Sequence, residues 1–593
     1  MPNMNLALEK KIRRELQYLP DPLKLADHVR GVLKKGDVEK ALGLARIASK
    51  DMECIVSWNH IIGHLLSEKQ ITAALKIYNE MKKRAQFPDS HTYVILLRGL
   101  SEPPVAADTL GKALAIYHSL GAENSRVKPT TIHTNAALRV CARANDMDSL
   151  WGIASKIPEK GPGAADTYTY TTILNAIREH ALLEGGTRTD DSEIAALRAT
   201  AVQQGRRIWG DIVGRWRSGD IAVNEEMVCA MGRLLLIGLQ PRDWDDVLSL
   251  IEQTMGIPRL VPKLGSKMRM AALNLPVRMP ADVKKDRKDV AEGEEPESEF
   301  DQSLLLDSRG RPSVTLVKPG NNSFSLLLEA CKSAHAFRTS YEYWDLLTDK
   351  STYALKPDMD NIHTFMRILR QTRASGRTVD LVKETIPAYG WNPQRKTFRI
   401  AMSACSRDRN NPNVMYHAHQ LLELIEQHQM EPDPMTLTQY LELALSTQDG
   451  EVISEVIDNL QNPVMKLRSM ISFGTFSSGK TKASTIQDIM ALMKTIMGAI
   501  DQLIKKQLIP QDHVQGWTQR RATMNAFVTR LTDRLGGKNI IPKEKLIELR
   551  KDSRQLRHLR QHLVKRQKKR DGTWVKDKKD LKPRPLKDLP FEE

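Results

Sequence analysis

The sequence contains no apolar run of about 18 residues, so nothing in its 593 positions reads as a membrane-spanning helix. Its five cysteines, Cys54, Cys141, Cys229, Cys331 and Cys405, are spread singly along the chain. Without a CxxC pair there is no zinc ribbon, and the sparse spacing argues against a secreted disulfide scaffold; a reducing compartment fits. Aromatic residues are 5% of the chain, and β-branched alternation and Asn-Gly turns are scarce, which leaves little room for a sheet-based domain. Neither GxSxG nor HExxH occurs, and no group of carboxylates stands apart from ordinary helix-surface acids. The N-terminus, MPNMNLALEKKIRRELQYLPDP, lacks the apolar segment of a secretory signal. With Glu9, Glu15 and few serines, a presequence is weak or absent. What the chain has in excess is positive charge: 89 Lys and Arg against 72 Asp and Glu, a net +17. That surplus points to a polyanionic partner, nucleic acid before others.

The chain breaks in two places. Between about Pro262 and Pro319 apolar periodicity disappears, and a basic block (Lys284, Lys285, Arg287, Lys288) runs into the acidic string EGEEPESEFD, as in a mobile linker. A second break surrounds FGTFSSGKTKAS, Phe473–Ser484. The expected organisation is an N-terminal segment 1–21, a helical array 22–260, a charged linker 261–318, a second array 319–462, a helical region 463–540 and a basic tail 541–593. From Ile541 onward there are 18 Lys and Arg against 9 Asp and Glu.

The arrays repeat. Laying Ser57-Trp58-Asn59 over Thr92-Tyr93-Val94 gives a shift of 35 residues. The pattern recurs at His133-Thr134-Asn135, Thr169-Tyr170-Thr171, Ser323-Phe324-Ser325, Asn361-Ile362-His363, Thr397-Phe398-Arg399 and Thr436-Leu437-Thr438. Proline turns precede many of these starts: FPD at Phe87–Asp89, KPT at Lys128–Thr130, KPD at Lys356–Asp358, NPQ at Asn392–Gln394 and EPD at Glu431–Asp433. Seven residues after the aromatic slot come Leu65, Leu100, Cys141, Ile177, Cys331, Leu369, Cys405 and Ala444, all apolar or thiol. Taking Cys229 for the same place predicts a degenerate repeat with Ala222 in the slot. Four of the five cysteines then pack one helix-to-helix contact as small hydrophobes. One hairpin of this length cannot bury its apolar face alone, so successive hairpins must stack.

The repeat start, a Ser or Thr, an aromatic and Asn before paired aliphatics, is followed by second-helix strings such as TAALKIYNEM (Thr72–Met81) and KALAIY (Lys112–Tyr117). With its closing Pro-Asp, this pattern resembles the pentatricopeptide repeat family. The resemblance covers most of residues 22–460, is strongest over 55–89, 90–130 and 131–166, and weakens at 319–440. It implies an all-α, right-handed superhelical solenoid of helix-turn-helix repeats with a basic C-terminal extension. It also implies a non-catalytic, cofactor-free protein, a monomer, that holds single-stranded organellar RNA, one base per repeat. The insertion-rich repeats are similar in style to fungal mitochondrial members that act in small-subunit rRNA maturation or group I intron splicing, which implies the mitochondrial matrix. Two rivals remain: a component or scaffold of the mitochondrial small ribosomal subunit, and a protein-binding repeat without RNA.

Carried over from the family, the base-reading pairs are Asn59 with Asp89, Val94 with Thr130, Asn135 with Asp166, Ser325 with Asp358, His363 with Gln394, and Arg399 with Asp433. Thr171 and Thr438 hold the first place in pairs whose partner is unclear. The family's code makes Asn with Asp a uracil reader, whereas Val94, His363 and Arg399 depart from it. For Asp89, Asp166, Asp358 and Asp433, helix capping and base reading are both open. In the tail, Arg554 and Arg557, with Arg560, His558 and His562, share an expected helix. Lys565, Arg566, Lys568, Lys569 and Arg570 follow, and Trp574 offers a stacking surface.

One string argues for an enzyme. Gly474–Thr481 fits the phosphate-binding loop GxxxxGK followed by Ser or Thr, with Lys480 toward phosphate and Thr481 toward Mg²⁺. That chemistry needs a buried strand before the loop, and Met470–Phe473 is too short for one. His60 with His64, and His558 with His562, are each half of a metal site without a third ligand. No metal is expected.

Overall fold

The computed structural model describes residues 6–102, 107–122, 125–161, 163–264, 300, 302–305, 314–473 and 481–536. Among them every regular element is helical, in agreement with the all-α expectation. The chain divides into two compact units, Met1–Thr364 and Phe365–Glu593.

In the first unit the helices are α1 (Leu6–Leu16), α2 (Pro22–Lys34), α3 (Val38–Ala48), α4 (Ile55–Ser67), α5 (Ile71–Lys83), α6 (Ser90–Leu100), α7 (Ala107–Leu120), α8 (Thr131–Ala144) and α9 (Met147–Ala154). They continue with α10 (Thr167–Thr187), α11 (Asp191–Arg217), α12 (Glu225–Leu236), α13 (Pro241–Met255), α14 (Asn321–Ser333) and α15 (Phe337–Thr348). Helix α16 (Met359–Gln371) carries the division between the units. The second unit holds α17 (Ser375–Asp380, prolonged by a wide turn), α18 (Arg395–Arg407), α19 (Val414–Gln427), α20 (Pro434–Thr447), α21 (Gly450–Asn459), α22 (Gln461–Phe473), α23 (Thr481–Lys505) and α24 (Gln511–Gly536).

Successive first helices stack on one another, α2 on α4, then α6, α8, α10, α12 and α14, while each second helix packs mainly on its own partner. Within the second unit α18 packs on α20, and α20 on α23. This is the solenoid logic: each hairpin exposes an apolar face that only its neighbour covers.

The starts are set by capping. Asp89, Asp166 and Asp433 each accept the backbone N–H of the third helical residue, at 2.7, 2.8 and 3.1 Å. Asp358 does the same for Asn361 at 2.8 Å. Each cap is worth about 1 kcal/mol. Because the caps fix the register, the same positions recur as buried along the first helices that follow α2. The third residue is polar yet enclosed: Thr92, His133, Thr169, Ser323, Asn361, Thr397 and Thr436. The slot residue follows, from Trp58 to Phe398, and seven residues on lie Leu65, Leu100, Cys141, Ile177, Cys331, Leu369, Cys405 and Ala444, all buried.

Two expectations are corrected. Helix α12 starts from Asn224, whose side chain accepts from Met227 N at 2.9 Å, so its slot residue is Val228 and Leu235 lies seven on. Ala222 precedes the helix, and Cys229 stands one place after the slot. With no aromatic present, the thiol alone marked the register, and a stronger cap overruled it. The charged segment after residue 260 is also not free at its described ends. Leu264 N donates to Asp245 Oδ2 at 3.2 Å, Val317 N donates to Thr254 O at 2.8 Å, and Phe300 is buried against Trp209.

Candidate nucleic-acid interface

Two repeat junctions carry one constellation. Asn59, on α4, donates its side-chain N–H to Asp89 Oδ1 at 3.1 Å, and Asn135, on α8, donates to Asp166 Oδ1 at 3.0 Å. The Asp in each case caps the next first helix, and the third residue of that helix completes the cluster. The Thr92 hydroxyl lies 2.7 Å from both Asn59 Oδ1 and Asp89 Oδ1, its single hydrogen shared between them. Thr169 lies 2.6 Å from Asn135 Oδ1 and 2.8 Å from Asp166 Oδ1. Capping and pairing with Asn are thus one structure, since a carboxylate has lone pairs for both. Burial would raise the Asp89 carboxyl, but the hydrogen bonds from Thr92 and Asn59 outweigh it and hold it below the usual range. After these bonds each amide keeps one N–H and one oxygen lone pair. Both side chains are held in one rotamer, with Asn59 5% and Asn135 6% exposed.

The other expected pairs differ. Val94 brings no polar group, and its partner Thr130 bonds its own helix through His133 Nδ1 at 2.9 Å. Ser325 and Asp358 share no hydrogen bond among the described residues; Asp358 is engaged as a cap. The hydroxyls of Thr171 and Thr438 turn back to Thr167 O at 2.7 Å and Pro434 O at 2.8 Å. Arg399 forks onto Asp433, Nε to Oδ2 at 2.7 Å and Nη2 to Oδ1 at 2.6 Å, which commits two of its five N–H groups to the cap and leaves the side chain 42% exposed. His363 is 1% exposed, which removes it from the accessible face, while Gln394 caps α18 and is exposed.

One feature of this face escaped the sequence reading. Three residues before each reading position, on the same side of the helix, stand Val56, Ile132 and Tyr168, which are 39%, 62% and 48% exposed. Met435 repeats this on α20, and His91 takes the place on α6. Large apolar groups left in solvent beside a polar donor suit the flat face of a base. The signal was present as an apolar residue two places after the caps of α4, α8, α10 and α20, but only burial separates it from a core position.

The tail residues Arg554, Arg557, Lys565, Arg566, Lys568, Lys569, Arg570 and Trp574 lie outside the described residues, as does Gly474–Lys480. The segment before that loop is helix α22, where phosphate-loop chemistry needs a strand. Ser375, Asp408 and His417 do meet in the second unit. Ser375 Oγ donates to Asp408 at 2.6 Å and lies 2.9 Å from His417 Nδ1. The serine is fully buried and itself bridges acid and imidazole, so no base is oriented toward a reachable nucleophile. All five cysteines are buried, and burial pushes Cys141, Cys229 and Cys405 up to about 12, which leaves inert thiols.

The fold is therefore an all-α array of stacked helical hairpins, capped in a common register. Residues 53–102 match the model of the PPR repeat family, and part of the chain is similar to pentatricopeptide repeat proteins of mitochondria. It is 25% identical over 258 residues to pentatricopeptide repeat-containing protein 2, mitochondrial, of Schizosaccharomyces pombe, covering 43% of this chain and 57% of that protein. Over 154 residues it is 27% identical to pentatricopeptide repeat-containing protein 1, mitochondrial, of Rattus norvegicus, covering 25% and 22%. Over 164 residues it is 30% identical to MIOREX complex component 1 of Saccharomyces cerevisiae, covering 27% and 23%. The chain thus spans 57% of the length of the first of these relatives and less of the other two. Among solved structures it is similar to the crystal structure of the maize pentatricopeptide repeat protein PPR10, with 15% identity over 86% of this chain and 65% of that one, TM-score 0.35. The same protein in complex with an 18-nt psaJ RNA element gives 12% identity over 88% and 80%, TM-score 0.24.

Proposed function

We propose that the chain is a non-catalytic, single-stranded RNA-binding pentatricopeptide repeat protein of the mitochondrial matrix. Its role is the processing, stability or splicing of organellar transcripts, with rRNA maturation or intron splicing foremost. The observation that carries this reading is the duplicated Asn–Asp–Thr constellation at the junctions α4/α6 and α8/α10. A helix start needs only its cap; the asparagine from the preceding repeat adds a bond across the junction and keeps one N–H and one lone pair, which match a donor–acceptor pair on a base edge. The exposed Val56, Ile132 and Tyr168 supply stacking surfaces beside it. By the family's code these two positions favour uracil, with Val94 tolerating any base between them. Crosslinking the protein to RNA in its native cell, followed by sequencing, tests the reading. A uridine-containing footprint that weakens in Asn59→Ala/Asn135→Ala supports it, and absence of crosslinks above background defeats it.

A second reading is a scaffold of the mitochondrial small ribosomal subunit. It is favoured by the second unit, where the Thr438 hydroxyl turns back to its own helix and Asp433 is held by Arg399 in place of an asparagine. A broad rRNA footprint unchanged by the double substitution would select it.

A further inference from the structure

We infer that a groove between α21 and α24 is the seat of the chain's own basic segment Lys565–Arg570. The inference concerns the second unit alone and does not depend on the RNA reading. The groove has a volume of about 580 Å³ and two helical walls. Glu451, Ser454 and Asp458 share one face of α21, and Asp512, Trp517 and Arg520 share one face of α24. The turn at Leu508–Pro510 completes the lining.

Three features point to a cationic guest. The local charge runs against that of the chain: residues 449–459 hold Asp449, Glu451, Glu455 and Asp458 and no Lys or Arg, in a protein of net +17. Glu451 and Asp512 form no ion pair with a described cation. The groove also receives one cation already. Arg520 pairs with Asp458 and lies over the Trp517 ring at 4.9 Å, a carboxylate and an indole face that would hold a guest guanidinium or ammonium in the same way. Finally, polar groups in the lining lack partners. Ser454 Oγ is buried without a hydrogen bond, whereas the helix hydroxyls of Thr171 and Thr438 turn back to the carbonyl four residues earlier. Trp517 is 7% exposed, and its indole N–H has no acceptor among the described residues.

Charge and tether together select the occupant. The string KRQKKR, Lys565–Arg570, carries five cations in six positions. Helix α24 ends at Gly536, and Trp517 lies nineteen residues back along it, about 29 Å. Residues 537–564 would cover about 42 Å as a helix and about 95 Å fully extended, so the segment reaches the groove in either conformation. A tethered guest is also present at high effective concentration. Seated there, this block of positive charge stays covered until a polyanion competes for it.

The test is zero-length crosslinking of the full chain with a carbodiimide, which joins a lysine amine to a carboxylate only where the two touch, read by peptide mass spectrometry. At about 50 mM salt Lys565, Lys568 or Lys569 should link to Glu451 or Asp512, and at about 500 mM the links should fall by about fivefold or more, as screening shortens the reach of the charges. Glu451→Gln/Asp512→Asn, folded by circular dichroism, should abolish them. Glu451→Lys/Asp512→Lys combined with Lys565→Glu/Lys568→Glu/Lys569→Glu should restore links of reversed polarity. No such links in the wild type, or links spread equally over exposed acids elsewhere in the unit such as Glu423 and Glu442, would overturn the seat. Links between labelled and unlabelled copies in an isotope-mixed sample would place a second molecule's segment in the groove and overturn the intramolecular assignment.

Discussion

Asn59 on one repeat donates its side-chain N–H to the Asp89 carboxylate that caps the next, at 3.1 Å. The contact joins two hairpins through a group that each also uses within itself. It makes the junction rigid and holds the amide in one orientation.

Asn59→Ala removes the donor to Asp89 and the acceptor beside the Thr92 hydroxyl, while Thr92 retains Asp89. The expected loss is about 1 kcal/mol in urea unfolding, one net hydrogen bond. Thr92→Val should cost more, about 2 kcal/mol, because the buried carboxylate and amide both lose their hydroxyl.

The Asp433 carboxyl is raised by burial but lowered further by hydrogen bonds from Arg399 and Thr436, so its folded pKa lies below the unfolded value. Its contribution to stability is then present above about pH 4 and lost as pH falls through the folded value. The stability gap between wild type and Asp433→Asn should narrow steadily as denaturation is followed from pH 6 to acid. A constant gap would show that Asp433 acts without its charge.

Gly320 is needed for close approach, not for an unusual backbone angle. The carboxylate of Glu225 enters beside it and accepts from both Ser323 N and Ser323 Oγ at 2.9 Å, capping α14 from the preceding repeat. A Cβ at Gly320 would stand 2.5 Å from Glu225 Oε2. Gly320→Ala should destabilise by about 1–3 kcal/mol, and Glu225→Ala should cost much less in its presence than alone.

Native protein should be unreactive toward a thiol reagent at pH 8, since all five cysteines are buried and three have thiols pushed up to about 12. In denaturant all five should react. Rapid native labelling of Cys141 or Cys405 would contradict the packed junctions.

Val94→Asn with Thr130→Asp should build a third reading constellation at the α6/α8 junction. The expected outcome is a new base preference at the position between the two existing ones, measured by selection from randomised RNA, with stability within about 1 kcal/mol of wild type. No gain in preference would show that His133, which stands where Thr92 and Thr169 complete the other clusters, blocks the site.

Much of this architecture is local chemistry and is legible in the sequence. Capping aspartates, proline turns and a buried slot recur because each helix start needs the same satisfied N–H groups, whatever surrounds it. That pattern alone determined the helical hairpins, their common register and the residues at each repeat junction. It failed at Cys229, where the slot is aliphatic and the cap Asn224 puts it at Val228, six residues past the assumed Ala222. It also could not foresee the long α10 and α11, since no breaker marks where a helix outruns its repeat. Tertiary structure alone decided which candidates face solvent. Asn59 meets Asp89, and Arg399 closes on Asp433, only because stacking brings residues some thirty positions apart to one junction. Two pairs equivalent in sequence thus end differently: a short amide is enclosed at the junction with its cap, whereas the long guanidinium forks onto the cap with two of its N–H groups and stays partly in solvent.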